Sequence, residues 1–229
     1  RSTLFPYTTL FRSLADAQTE KMLFDSGQID IFDLDHALDQ IPTYRDNPDY
    51  KDNFVEKTVL GTSYLSLNES IEPLGDVKVR KALQMAIDRD TLIQSMYYGA
   101  ATPACTFLPE GVPGYDKNSE PIKYDPEGAK KLLEEAGYAD GFDLTITQTT
   151  DSSQSDQEVN EAIAKMFEAI GVRAKIEQYD NATWYSVRSN GELPMYRWNG
   201  RGSRPTGSYR CRRPRTSRPW CGTGSLRRR

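Results

Sequence analysis

YDPEGAKKLLEEAGYADGF, running from Tyr124 to Phe142, is a complete helix with its punctuation. Asp125 is placed to cap it, its carboxylate accepting from the free N–H groups of the first turn. Pro126 follows at the first helical position, where a missing N–H costs nothing, and Glu127 adds negative charge beside the positive end of the helix dipole. Ala129, Leu132, Leu133 and Ala136 form an apolar stripe at helical spacing. Gly137 can take the left-handed conformation that stops a helix. Asp140-Gly141 then turns the chain into Phe142-Asp-Leu-Thr-Ile-Thr147, an alternating strand.

Downstream, the same grammar repeats. Asp151-Ser-Ser-Gln-Ser-Asp156 is a turn and cap cluster, and Val159, Ile163, Met166, Phe167 and Ile170 recur at helical spacing up to Gly171. Val172-Arg-Ala-Lys-Ile-Glu177 alternates again, so strand, helix and strand predict a right-handed βαβ unit and an α/β fold. Asp180 or Asn181 caps a short helix through Ser189, and Asn190-Gly191 turns into a last strand over Leu193–Asn199.

Upstream, residues 14–25 read as the last turns of a helix, stopped at Ser26-Gly27. Gln28 to Asp33 reads as a short strand with Ile29 and Ile31 on one face. Residues 34–53 read as a helix fragment plus loop. Phe54–Asn68 reads as strand, with Gly61 at a bulge or a close backbone approach. Asp76 caps a helix through Ile87 whose buried face carries Val79, Leu83 and Ala86 or Ile87. A second helix, restarted by Asp88-Arg89-Asp90, ends at Gly99. Residues 100–123, with four prolines, read as one long loop, a kind of segment that is often functional.

The two ends differ from this body. Residues 1–13 have no periodicity leading into Leu14 and match the in-frame translation of a common sequencing adapter. Residues 200–229 are rich in Arg, Pro, Ser and Gly, and residues 201–229 hold ten Arg and no acid; the stretch reads as a frameshifted, disordered tail rather than a basic nucleic-acid arm. The net charge of −4 therefore hides an acidic body: residues 14–200 hold 17 basic and 33 acidic residues, a balance that argues against nucleic acid. No apolar run is long enough to span a membrane.

The motifs of chemistry are missing from the sequence. No phosphate-cradling glycine loop occurs. The single histidine, His36, lies among Asp33, Asp35 and Asp39 without a metal-ligand spacing, and reads as part of a solvated acidic loop; no metal site and no cofactor are expected. Glu134-Glu135 and Asp88/Asp90 read as solvated faces and caps, not as a glycosidase pair. Cys105 lacks a neighbouring base and reads as a small buried residue.

Five stretches, in order, resemble the family 5 extracellular solute-binding proteins, the oligopeptide/dipeptide-binding components of ABC importers. They are Gly27-Gln-Ile-Asp-Ile31; Tyr64-Leu-Ser-Leu-Asn68; Val79-Arg-Lys-Ala-Leu83 with Ala86-Ile-Asp-Arg89; Ala101-Thr-Pro103 through Leu108-Pro109 and Gly114-Tyr115; and Tyr124-Asp-Pro126 with Ala129-Lys-Lys-Leu-Leu133 and Glu135-Ala-Gly-Tyr138. Each is weak alone; together they cover about residues 27–199.

The resemblance implies a periplasmic-binding-protein-like α/β lobe of type II, with a mixed sheet and βαβ units, here incomplete. Residues 14–60 are similar to the end of a first lobe and its hinge, and residues 61–199 to much of a C-terminal ligand-binding lobe. It also implies an extracytoplasmic protein, in a periplasm or on a cell surface, that delivers peptides or similar solutes to permease subunits. Membrane association would come only through the permease or a missing lipid anchor, and no nucleic-acid partner is implied. In the family the strand similar to Met195–Asn199 leads to a Trp and an Asp that pairs with the peptide amino group. Here Gly200-Arg201 stands there instead, so Arg197, Trp198 and Asn199 are the ligand-binding residues implied at the cleft edge. Two other readings stand beside this one: a hydrolase working through Asp and Glu, and an inert fragment.

Overall fold

The computed structural model describes residues 17–34, 37–57, 61–110, 112–199 and 208–212. His36 and the adapter-like residues 1–13 lie outside them, as does most of the tail. The chain divides into two compact units, one within Arg1–Val55 and Tyr209–Arg229, the other within Glu56–Ser208.

In the first unit, α1 (Ala17–Asp25), β1 (Ile31–Asp33) and α2 (Ile41–Arg45) surround an aromatic cluster. Phe24, Phe32 and Tyr44 are buried, and Phe32 meets Tyr44 edge-on at 5.5 Å between centroids. The inward face of β1 is therefore that of Phe32 and Leu34, while Ile31 is exposed. The aromatic ring buries more apolar area than an isoleucine, and it decides which face turns in. β2 (Phe54–Lys57) and β7 (Ser208–Arg212) complete a sheet in the order β1-β7-β2, with β7 antiparallel to β1. This corrects the expectation of a disordered tail over Ser208–Arg212: Ser-Tyr-Arg-Cys-Arg places Tyr209 and Cys211 two residues apart, the strand period, amid the arginines.

The second unit is built on a four-stranded mixed sheet, ordered β3-β6-β4-β5: β3 (Ser63–Leu67), β6 (Met195–Asn199), β4 (Asp143–Thr149) and β5 (Arg173–Tyr179). β4 runs parallel to both β5 and β6, with Ile146 opposite Ile176 on one side and Met195 on the other; β3 is antiparallel to β6. The strand expected over Phe54–Asn68 is thus two strands in two sheets. Alternation alone cannot show that its partners change midway.

Four of the helices that precede or join these strands are α3 (Val77–Met85), α4 (Arg89–Met96), α5 (Pro126–Glu135) and α6 (Gln154–Glu168). Their apolar faces meet the sheet in one core containing Val79, Leu83, Leu133, Phe167, Ile146 and Met195. The helix in Tyr124–Phe142 forms as its sequence dictates. Asp125 accepts from the Gly128 N–H at 2.8 Å, and beyond Glu135 the Tyr138 N–H reaches back to the Leu133 carbonyl at 2.8 Å, with Gly137 at φ +87°. α7 (Asn181–Ser189) is capped by Asp180, not by Asn181. The described residues of 100–123 carry no helix or strand, and Cys105 is only partly buried.

Two caps make a pH prediction. The Thr91 backbone N–H, then its hydroxyl, hold the Asp88 carboxyl below the usual range. The Thr183 hydroxyl, then its backbone N–H, do the same for Asp180. A carboxyl depressed in the folded state contributes stability that is complete above its unfolded pKa of about 3.9 and is lost as pH falls through the folded value. The urea midpoint is therefore expected to hold from neutrality down to about pH 5 and to decline below about pH 4. Asp88→Asn with Asp180→Asn should remove part of that acid decline, measured as midpoints between pH 3 and 6; an unchanged decline would rule these caps out as its source.

Candidate functional site

β4 leads through α6 to β5 on one side, and β5 leads through α7 to β6 on the other side of β4. The two connections lie on opposite faces. Tyr196 and Trp198 of β6 meet Trp184 of α7, whereas Arg197, one residue out of phase, pairs with Asp156 of α6. Where strand order reverses in this way, a crevice opens outside the carboxyl ends of the parallel strands. A cavity of about 280 Å³ lies there. The C-terminal end of β4, the first turns of α6 and α7 and the end of β6 form its walls.

One wall is charged and internally paired. The Arg197 side chain is only 9% exposed; its guanidinium makes an ion pair with Asp156 and donates to the Tyr97 hydroxyl at 2.7 Å. Withdrawing a guanidinium from water is costly, and these two partners, from the first turn of α6 and the end of α4, offset that cost. Their effect is to leave the cavity without a net charge from this pair.

The opposite wall is aromatic. Trp184 and Trp198 are stacked, 5.7 Å apart with 5° between planes. The Arg188 guanidinium sits 4.0 Å from the Trp198 ring centre and donates to the Tyr196 hydroxyl at 3.2 Å. Burial pushes the Tyr196 phenol up, but hydrogen bonds from Ser66 and Arg188 and the Arg188 charge outweigh it, and its pKa is lowered.

The floor is polar. Thr147 donates to the Met195 carbonyl at 3.0 Å, stitching β4 to β6, and Asn160 donates through Nδ2 to Gln148 Oε1 at 2.7 Å. Asn160 Oδ1 and Trp184 Nε1 are buried without a hydrogen-bond partner among the described residues.

Of the three residues the resemblance implied, Arg197 and Trp198 line this cavity from opposite faces of β6. Asn199 is the last residue of that strand, opposite Ser63; its side chain is not among those described. Sequence reasoning missed Asp156, Asn160, Gln148, Trp184 and Tyr97. One signal was available for Asn160: it stands at the head of the stripe Asn160, Ile163, Ala164, Phe167, a polar residue on a buried helix face. Among the described residues no group of three or more His, Cys, Asp or Glu is placed to hold a metal ion. No helix there is long and apolar enough to cross a membrane.

Comparison with known proteins places this geometry. The family of bacterial extracellular solute-binding proteins, family 5 Middle, matches residues 8–217. The dipeptide-binding protein of Escherichia coli (strain K12) is 34% identical over 153 residues, 65% of this chain and 29% of that protein. Heme-binding protein A of Haemophilus influenzae is 31% identical over 190 residues, 81% of this chain and 34% of that protein. Among solved structures, the periplasmic binding protein DppA from Helicobacter pylori, in complex with the peptide STSA, superposes with a TM-score of 0.68 at 28% identity, over 82% of this chain and 36% of that one. The chain thus spans about a third of the length of these relatives. With an α/β lobe on a mixed sheet and a family match over nearly its whole length, the chain belongs to the bacterial extracellular solute-binding proteins, family 5.

Proposed function

We propose that this chain is part of the substrate-binding component of an ABC importer that captures peptides outside the cytoplasmic membrane and hands them to permease subunits. The observation that carries the reading is the cavity at the strand ends. It is lined by hydrogen-bonding side chains and two stacked tryptophans, with its one buried guanidinium already paired. Such a wall binds without reacting: polar groups hold a ligand's backbone, and aromatic faces accept varied side chains. The likeness to a dipeptide-binding protein and to a peptide complex supports the choice of ligand class. In this proposal Arg197 and Trp198 touch the ligand, Asn199 edges the site, and the chain has no catalytic role. The site of action is extracytoplasmic, a periplasm or a cell surface.

Calorimetric titration of the 229-residue chain with a library of di- to pentapeptides tests this. Saturable heat is expected from several peptides of differing side chains. Binding by none of them would overturn the peptide reading. Heat from a porphyrin instead would move the ligand class toward that of the heme-binding relative, and turnover of any peptide would show a hydrolase.

A further inference from the structure

We infer that the cavity continues into a subsite for one aromatic side chain, formed by Trp198, Tyr185, Tyr64 and Phe107. The inference rests on the proposed peptide-binding role of the cavity and names the side chain that the site selects.

Strand pairing brings these rings together. Tyr64 of β3 stands directly opposite Trp198 of β6 in the antiparallel register, and residues paired in this way share one face of the sheet. That face is turned away from the core. Leu65 and Leu67, the alternate residues of β3, pack against the core, whereas Trp198 stacks on Trp184 of α7. Two more rings flank the pair. Tyr185 of α7 meets Trp198 edge-on at 6.5 Å, and Phe107 of the long loop meets Tyr64 edge-on at 5.1 Å. Tyr185 and Trp198 also line the cavity, so the row of rings starts in its wall and runs across β6 to β3 and the loop.

The row is open to solvent: Tyr185 is 51% exposed and Phe107 66%. Trp198 is covered from one side. The Arg188 guanidinium lies 4.0 Å from its ring centre and 5.5 Å from that of Trp184, too near Trp184 for guanidinium and stacked indole to stand on opposite faces of Trp198. Among the described residues no stacked ring or cation covers the other face. Single exposed rings are ordinary; a connected row adjoining a polar cavity gives a bound peptide a separate place for a side chain. An aromatic ring gains most there, because it can stack offset on the open indole face and meet the flanking rings edge-on. A charged side chain finds no counterpart. Asp156 and Arg197 are closed on each other at the other face of β6, and Arg188 is held by Trp198 and the Tyr196 hydroxyl.

The test reads the Trp198 indole N–H resonance of the 15N-labelled 229-residue chain, assigned with Trp198→Phe. The probes are the N-acetyl amides of phenylalanine, cyclohexylalanine, lysine and glycine, which separate an aromatic ring from apolar bulk, charge and backbone. The phenylalanine probe should move the resonance saturably, at a concentration about fivefold or more below that needed by the other three. Phe107→Ala and Tyr185→Ala change exposed side chains and should leave the urea midpoint in place. Each should weaken the phenylalanine probe about threefold, the worth of one edge-on ring pair. A cyclohexylalanine response equal to that of phenylalanine, equal responses to all four probes, no response, or a phenylalanine preference unchanged in both variants overturns the inference. Peptide binding by calorimetry is scored separately. Peptide binding without the phenylalanine preference would remove the subsite and leave the proposed function, and the preference without peptide binding would do the opposite.

Discussion

Gly141→Ala is expected to destabilise the second unit by about 3 kcal/mol or more, from left-handed strain of about 1–3 kcal/mol and a backbone clash added to it. Gly141 has φ +71°, where a Cβ is disfavoured, and a Cβ built there would overlap the carbonyl oxygen of Gly171. That neighbour is backbone and cannot swing away. It is held in turn, since the Arg173 N–H donates to the Phe142 carbonyl at 2.8 Å, locking the entries of β4 and β5 together. Gly137 is the control. Its φ is +87°, yet a Cβ there meets nothing within 4 Å, so Gly137→Ala carries the left-handed strain alone, about 1–2 kcal/mol. Urea denaturation followed by tryptophan fluorescence should place the Gly141 variant well below the Gly137 variant. Equal midpoints would mean that conformation alone, not the approach of residue 171, demands the glycine.

The contrast between these two glycines shows what the sequence carried and what it did not. Everything that makes α5 is local: cap, proline, stripe and stop lie within Asp125–Gly137, and each fell where expected. Asp140-Gly141 was also legible as a turn, but the reason for its glycine lies thirty residues away at Gly171 and belongs to strand register. The same limit explains the Phe54–Asn68 stretch, whose alternation continues while its two halves join different sheets. It explains β1, where the isoleucine period was visible but the rings that Phe32 packs against come from Phe24 and Tyr44. At the candidate site, Arg197 and Trp198 could be picked out only through resemblance, and what they touch could not. Asp156 read as part of a helix start, and it is the reversal of strand order around β4 that brings it to Arg197. Trp184 carried no distinguishing signal, because an aromatic on a short helix is ordinarily core.

Trp184→Ala is expected to cost about 3–5 kcal/mol, the range for truncating a buried large aromatic. Trp184 is the one buried residue of α7, so it is what fastens that helix to the sheet. Its ring stacks on Trp198, meets Tyr185 and Tyr196 edge-on at 5.3 and 5.4 Å, and lies 5.5 Å from the Arg188 guanidinium. The wall of the cavity that the ring forms would go with it. Trp184→Phe separates the ring from its N–H. It keeps an aromatic plane against Trp198 and removes a buried donor that has no acceptor among the described residues, whose burial itself costs about 1–3 kcal/mol. That gain offsets part of the lost indole volume, and the net change is expected to stay under about 1.5 kcal/mol. Urea midpoints of the two variants, read by far-ultraviolet circular dichroism because the fluorophore is altered, decide the matter. If phenylalanine costs as much as alanine, the whole indole, and not only an aromatic plane against Trp198, is what the fold requires. If phenylalanine is nearly silent and alanine costs its full amount, the aromatic plane serves the fold and the N–H does not.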